Sequence, residues 1–401
     1  MKRLHIGMVC DEYPPIPHGG IGSVVCDLAE GLMDQDHIVT VVGSYPAEAV
    51  KARRKQEEYR HNVRVMRLRD PSTYLRFRPR SIAKRLMIRA WLEVEHQHNP
   101  FDIVEWPDYG GLMPWGLSCA PGVVRLHGSN KFFDSELNRP SEPFEHRLER
   151  RTILSANTIF SVSKYAAERT LALVGVPERP FQLVYNAVDT RVFSPSDEVP
   201  VVPGRIVFVN SLSPKKGIEE LCEAVNIVFA KVPHAHLYIV GRAVRVLSNG
   251  RPYKDHLLEL VRPEFRSRMQ FTGPLDRQTG VVDQLRRAQV SCLPSHLETF
   301  GIAAVEAMSV GKPVVFSRTG PGREIIQDGI NGVLCDPTDP VDIAAKLIHL
   351  LENPELCQAM GEAARKHVVE QFDREDWIER NIQCYEECIA RSLSAKRAAA
   401  G

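Results

Sequence analysis

Apolar strand-like runs alternate with amphipathic helical runs along most of this chain, and the alternation starts twice. Leu4 to Val9 reads as a strand, Ile21 to Met33 as an amphipathic helix and Ile38 to Val42 as a strand. Ile103 to Trp106, Val123 to His127 and Ile159 to Val162 read as further strands. A turn-rich stretch follows, Phe193-Ser194-Pro195-Ser196-Asp197-Glu198-Val199-Pro200 and then Pro203-Gly204, with the composition of a linker. The pattern then restarts: Arg205 to Val209 as a strand, Ile218 to Lys231 as a helix, His236 to Val240 as a strand. Met269 to Thr272, Val290 to Leu293, Pro313 to Phe316 and Gly332 to Cys335 are later short strands, and a last helix spans about Trp377 to Ser392. Such alternation predicts parallel sheets wrapped by helices. Two doubly wound α/β domains facing each other are expected, with ligands beyond the carboxyl ends of the strands in the cleft between them.

Bulk properties narrow the class. A chain of 401 residues is too long for one ordinary core. Its 43% hydrophobic and 25% charged residues are those of a soluble globular protein, and no apolar run reaches membrane-spanning length. The start, Met1-Lys2-Arg3, enters a strand-like run at once, unlike a signal peptide. Nine scattered cysteines favour reduced thiols and a cytoplasmic setting. Cys384 and Cys388, one helical turn apart, have no further partners at metal-ligand spacing.

A net charge of +1 implies no global nucleic-acid-type field. Residues 51–89 depart from neutrality, with fourteen Lys/Arg against three Asp/Glu, a local net of +11. Arg76-Phe77-Arg78 and Lys84-Arg85-Leu86-Met87-Ile88-Arg89-Ala90-Trp91 mix cations with large apolar side chains. This suits docking to an anionic membrane face or a phosphorylated acceptor, and equally a solvated face. A nucleic-acid partner is not expected, because no stacking platform accompanies the cations.

The motifs with chemical content stand at strand ends. Ser295-His296-Leu297-Glu298-Thr299-Phe300-Gly301 runs into Ile302-Ala303-Ala304-Val305-Glu306-Ala307-Met308. Its two glutamates are eight positions apart, one in a loop and the other about two turns along a helix. The backbone N–H groups between them suit an anion or a sugar hydroxyl. Pro17-His18-Gly19-Gly20-Ile21-Gly22-Ser23 opens the first helix, where glycines let a phosphate approach; a plain glycine-rich turn would look the same. His127 ends a buried strand, with no second histidine at ligand spacing. In Asn210-Ser211-Leu212-Ser213-Pro214-Lys215-Lys216-Gly217, a lysine between strand and helix can reach a diphosphate. Tyr185 to Pro195, with Asn186 and Asp189, reads as a turn satisfying local backbone.

Together these residues resemble the retaining glycosyltransferases of the GT-B fold, family GT4. The resemblance rests on Glu298-Thr299-Phe300-Gly301 with Glu306, on Gly311-Lys312-Pro313-Val314-Val315, and on Glu324 with Asp328-Gly329-Ile330-Asn331-Gly332. Asn186-Ala187-Val188-Asp189, Pro214-Lys215-Lys216-Gly217, His127 and Gly19-Gly20 follow the same landmarks, and residues 205–368 match best. It implies an acceptor-side domain over 1–195, a nucleotide-sugar donor domain over 196–375, and a helix over 376–401 packing back on the first domain. The implied catalytic residues are His127, near the donor sugar's 6-position, Lys216 on the diphosphate and Glu298 on sugar hydroxyls. The implied donor-binding residues are Gly19, Gly20, Ser211, Leu275, Phe300, Gly301 and Glu306. Among these, Glu306 would hold the ribose, the Phe300 and Gly301 amides the sugar, and the stretch Gly273-Pro274-Leu275 would lie beside the base.

Ser211 departs from the family, which usually carries an arginine there, so Lys215, Arg242 or Arg245 is a candidate for the missing phosphate clamp. No Asp-x-Asp pattern stands where a metal-bound diphosphate would need it. Metal-independent transfer is expected, with no cofactor beyond a UDP- or GDP-sugar as substrate, to a glycan, lipid-linked or small-molecule acceptor. Retention in the family implies front-face attack. Alternatives are an epimerase or phosphorylase of the same fold, or a non-catalytic nucleotide-sugar-binding membrane partner. The expected location is cytoplasmic, peripheral at the inner membrane face through residues 51–91.

Overall fold

The computed structural model describes residues 2–16, 19–50, 55–71, 80–243, 247 and 250–400. The chain divides into two compact units, Met1–Tyr185 with Glu375–Gly401, and Asn186–Arg374.

The first unit holds an eight-stranded sheet of β1 (His5–Val9), β2 (Ile38–Tyr45), β3 (Lys55–Arg60), β4 (Val63–Arg69), β5 (Ile103–Pro107), β6 (Gly122–Leu126), β7 (Thr158–Ser161) and β8 (Gln182–Leu183). Their spatial order is β3-β4-β2-β1-β5-β6-β7-β8. All pairings are parallel except β3 with β4. Val9, Val42, Val104, Trp106, Val124 and Ile159 form the heart of its core. Beneath the last helix, Arg125 makes two bonds to the Glu105 carboxylate, at 2.7 and 2.8 Å, and donates to Asn381 Oδ1 at 2.6 Å. Tyr385 donates to the same carboxylate at 2.7 Å. A buried charge is tolerable only when partnered in this way, so these bonds seat the helix Arg374–Ala400 on this sheet.

The second unit is built on β9 (Arg205–Val209), β10 (His236–Val240), β11 (Met269–Gly273), β12 (Val290–Leu293), β13 (Val314–Ser317) and β14 (Val333–Cys335). These strands are all parallel and lie in the order β11-β10-β9-β12-β13-β14, the Rossmann arrangement. The order reverses between β9 and β12. The loops leaving those two strands at their carboxyl ends therefore diverge and leave room for a ligand. Nearly every residue of β9, β12 and β13 is buried, as parallel strands covered on both faces require.

The second unit begins at Asn186, ahead of the turn-rich stretch that marks a boundary in the sequence. The Phe193 carbonyl accepts from Ser309 Oγ at 2.6 Å and from Arg365 Nη1 at 2.9 Å. The Ser194 carbonyl accepts from Arg286 Nε at 2.7 Å. These bonds fix residues 193 and 194 to the second unit.

The larger difference lies in the basic region. Lys55–Arg60 and Val63–Arg69 form an antiparallel hairpin, and Arg80–His98 a long helix. The hairpin turns on His61 and Asn62, both with positive φ (45° and 65°), as a two-residue reverse turn demands. Charges at four of the six β3 positions and three of the seven β4 positions, with His-Asn in place of a glycine-bearing turn, hide this element from hydropathy.

Candidate active site

Two loops of the second unit meet where the strand order reverses. After β9 the chain makes a short turn, Pro214–Lys216, and enters the helix Ile218–Lys231 through Gly217, whose φ is +66°. A Cβ on Gly217 would lie 1.8 Å from the Pro294 carbonyl oxygen, so glycine allows the loop after β12 to pass this close. The Lys215 carbonyl accepts from the Leu297 amide at 3.3 Å. Lys216 Nζ then stands 2.6 Å from Glu298 Oε1, and Ser295 Oγ donates to that same oxygen at 2.9 Å. Both charged side chains are 14% exposed, so the pair is only partly screened by water.

Glu298 leads into Gly301, with φ +108°, which precedes the helix Ile302–Ser309. A Cβ on Gly301 would come within 2.7 Å of the Phe316 ring. Gly301 itself brings no side chain to cap this helix, and no acidic residue sits in the first turn. Glu306 is the fifth residue of this helix, just past its first turn rather than two turns along. It is 5% exposed and accepts from Arg277 Nε at 2.6 Å. The Arg277 guanidinium also lies over the Phe193 ring, 5.6 Å from its centre.

Arg277 was not legible as a site residue. Its only sequence signal is its place two positions after Leu275, in the stretch expected beside the base. Leu275 is half-buried. Phe300 is buried, with its ring edge-on to Phe372 at 5.6 Å, so it offers the pocket its backbone and not its ring.

Ser211 lies at the end of β9, where its amide donates to Asn210 Oδ1 at 3.0 Å. Of the cations considered for the clamp, Arg242 is exposed and its carbonyl accepts from the Leu212 amide at 3.0 Å. Arg245 lies outside the described residues. Asp328 and Asn331 of the downstream motif serve local structure. Asp328 Oδ1 accepts from the Leu334 amide and Asn331 Oδ1 from the Gln327 amide, each at 2.8 Å. Asp189 is likewise a turn residue, accepting from the Arg191 and Val192 amides at 3.0 and 3.2 Å.

The remaining expected site residues, Gly19, Gly20 and His127, belong to the first unit. Pro17 and His18 lie outside the described residues. The helix Gly20–Asp34 follows β1, and two amides at its start are already occupied. Glu12 Oε2 accepts from the Gly19 amide at 3.1 Å and Glu12 Oε1 from the Gly22 amide at 2.7 Å. The chain's own carboxylate thus fills the anion position at this helix end. Gly20 itself borders open space, with no atom within 4 Å of where its Cβ would be.

His127 follows β6, and its amide donates to Asp108 Oδ1 at 2.9 Å. Burial, reinforced by the Arg125 cation, pushes the imidazole down to about 3. His127 is therefore neutral at physiological pH. Burial pushes the Asp108 carboxyl the other way, up to about 7, and its Oδ2 has no hydrogen-bond partner among the described residues. Next to it, Glu149 accepts from the Gly110, Asn130 and Lys131 amides at 3.0, 2.7 and 3.0 Å.

Several described cations of the basic region are engaged in ion pairs. Arg64 binds Glu57 and Glu95, Arg67 binds Glu58, Arg85 binds Glu145, and Arg89 binds Glu93. Residues 51–54 and 72–79, including Arg76, Phe77 and Arg78, lie outside the described residues. No helix among the described residues is long and apolar enough to cross a membrane.

Two parallel-sheet α/β units, with partnered charges at the carboxyl edge of the second, define a glycosyltransferase of the GT-B type. Residues 194–367 match the family described as Glycosyl transferases group 1, and residues 18–192 match Glycosyltransferase Family 4. The chain belongs to the GT4 glycosyltransferases. It is 26% identical to a glycogen synthase of Mycobacterium tuberculosis, covering 98% of this chain and 95% of that protein. It is 28% identical to the N-acetyl-alpha-D-glucosaminyl L-malate synthase of Bacillus anthracis, covering 98% and 100%. Among solved structures, sucrose-phosphate synthase from Thermosynechococcus elongatus aligns with a TM-score of 0.79 at 19% identity, over 97% of this chain and all of that one. Anabaena HepE in complex with UDP and glucose aligns with a TM-score of 0.72 at 18% identity, over 98% of this chain and 100% of that one.

Proposed function

We propose that this GT4 enzyme moves a hexose-type sugar from a UDP- or GDP-sugar to a glycan, lipid-linked or small-molecule acceptor, with retention at the anomeric carbon and without a metal ion. In this reading the second unit takes the donor and the first takes the acceptor. The observation that carries it is the Lys216–Glu298 contact of 2.6 Å at the switch point of a Rossmann-ordered sheet. A cation held against a carboxylate is poised for exchange. When a diphosphate arrives, Lys216 can turn to its oxygens, and Glu298 is left to accept hydrogen bonds from sugar hydroxyls.

The bond from the anomeric carbon to the diphosphate breaks as the bond to the acceptor oxygen forms. The acceptor's proton passes to the departing diphosphate on the same face. Lys216 and the helix amides after Gly301 stabilise the charge that develops there. Glu306 accepts from ribose hydroxyls, and Arg277 holds its carboxylate in place. A neutral His127 can meet a sugar hydroxyl without changing charge near neutral pH.

The relatives named above support testing UDP-glucose first. Calorimetry with UDP-glucose and GDP-glucose in the presence of EDTA should show saturable binding of one of them. Glu306→Gln should weaken that binding about tenfold or more, because a charge-assisted hydrogen bond is lost. Wild-type affinity in Glu306→Gln would sink this assignment, and a requirement for metal would sink the metal-independent reading. NMR of the product's anomeric proton decides retention. A cytoplasmic enzyme resting on an anionic membrane face through residues 51–91 is a separate part of the proposal, supported by the +11 local charge of residues 51–89 and limited by the ion pairs described above.

A further inference from the structure

The second unit carries a pocket of about 740 Å³ lined by residues at the other end of its sheet. Pro203 precedes β9, Gln289 precedes β12, and Lys312 and Pro313 precede β13, so this pocket lies at the amino ends of the strands. The proposed donor residues Ser211, Lys216 and Glu298 all follow carboxyl ends. The volume falls within the roughly 300–1,000 Å³ usual for small-molecule sites. Val199, Val201, Pro203, Val310, Pro313 and Pro354 supply apolar wall.

Most polar groups on the wall are already satisfied. Arg286 donates to the Ser194 carbonyl, and Arg365 to the Phe193 and Ser309 carbonyls. Gln289 accepts from the Gly204 amide and donates to the Leu351 carbonyl. The Cys357 thiol donates to the Leu350 carbonyl, and burial pushes its pKa up, so it stays neutral.

Lys312 differs. It is 8% exposed and lines the pocket, and its ammonium makes no hydrogen bond or ion pair among the described residues. Burial pushes it down to about 8. A largely buried cation with no counter-charge in contact costs stability that a bound anion would recover.

We propose that this pocket binds a small amphipathic carboxylate, its apolar body against the valine and proline walls and its carboxylate on the Lys312 ammonium. A phosphate fits less well. Both arginines are committed to carbonyls, and Asp197 and Glu362 on the wall disfavour a dianion.

Decanoate below its aggregation threshold is the probe, read by calorimetry and thermal shift. Decanol and inorganic phosphate are the controls. Decanoate should bind one per chain and raise the melting point, and its affinity should fall as pH rises through about 8. Decanol and phosphate should not saturate. Lys312→Met keeps the bulk, removes the charge, and should weaken decanoate about tenfold or more. It should melt no lower than wild type, since an unpaired buried charge is gone. Val199→Trp narrows the pocket, keeps Lys312 and should also weaken decanoate; it decides the matter if Lys312→Met does not fold. Nucleotide-sugar binding should be unchanged in both variants. Absence of saturable decanoate binding, equal binding of decanol, saturable phosphate binding, or undiminished decanoate binding in either folded variant overturns the proposal.

Discussion

Both units place a glycine before a helix at the carboxyl edge of a parallel sheet, and they use that device differently. In the first unit, the amides of Gly19 and Gly22 are taken by the carboxylate of Glu12. In the second, Gly301 opens its helix without a capping side chain of its own. The nearest carboxylate of interest, Glu298, is turned towards Lys216 instead. The same electrostatics operate at both helix ends, a partial positive charge that attracts an anion. One end has that charge answered by its own chain. In the proposed function the other meets the ligand. A glycine-rich turn before a helix is thus not by itself a phosphate site; what matters is whether a nearby acidic residue can reach its amides.

The neighbouring charges follow the same division. Lys216–Glu298 and Arg277–Glu306 are paired opposites, partly open to solvent. In the first unit, burial drives His127 and Asp108 towards their neutral forms instead.

The largest expected effect tests whether the second unit's edge is the chemical one. Lys216→Met should lower turnover about 10²- to 10³-fold, the scale for losing one transition-state charge partner. It should leave the fold intact, because Ser295 still donates to Glu298. Turnover within a few-fold of wild type would move the diphosphate contact elsewhere.

A middling effect concerns pH. The folded His127 sits near 3 against 6.5 unfolded, so its contribution is present above 6.5 and lost as pH falls from there towards 3. The folded Asp108 sits near 7 against 3.8, so its contribution is present below 3.8 and lost as pH rises through 7. The two oppose one another between about pH 4 and 6.5. Asp108→Asn should therefore gain on wild type by up to about 4 kcal/mol at pH 8 compared with pH 4. A pH-independent difference between the two proteins would contradict the neutral-edge picture. A smaller effect tests the helix end of the first unit. Glu12→Ala should cost about 1 kcal/mol in chemical denaturation, the scale of a lost helix cap. It should also make stability newly responsive to added phosphate; a variant indifferent to phosphate would break the comparison. The smallest effect is at the membrane. Sedimentation with anionic vesicles should show weak binding that high salt removes, since several of the described cations are already paired. Binding that survives high salt would point to apolar insertion rather than charge.

Elements whose burial is uniform could be read from the chain. β9, β10 and β12 fall on the residues where apolar runs predict them. The hairpin of β3 and β4 could not, because its strands are rich in charge and its turn is His61-Asn62. Within the site, Glu298, Glu306 and Lys216 announced themselves by position relative to strand ends. Arg277 and Glu12 did not. Arg277 is 29 residues from its partner Glu306, and Glu12 acts only because the chain folds back over Gly19. Lys312 was visible as part of a motif and invisible as a buried unpaired charge, because burial is a property of neighbours.

The sequence by itself determined the two α/β units, the family and the motifs at the strand ends, because hydrophobic periodicity and local turn chemistry act over a few residues. Only the tertiary structure decided which charges meet, which helix end is already occupied and which cation is left without a partner. Electrostatics and desolvation depend on distances and burial in space, and those are set when segments far apart in the chain pack together.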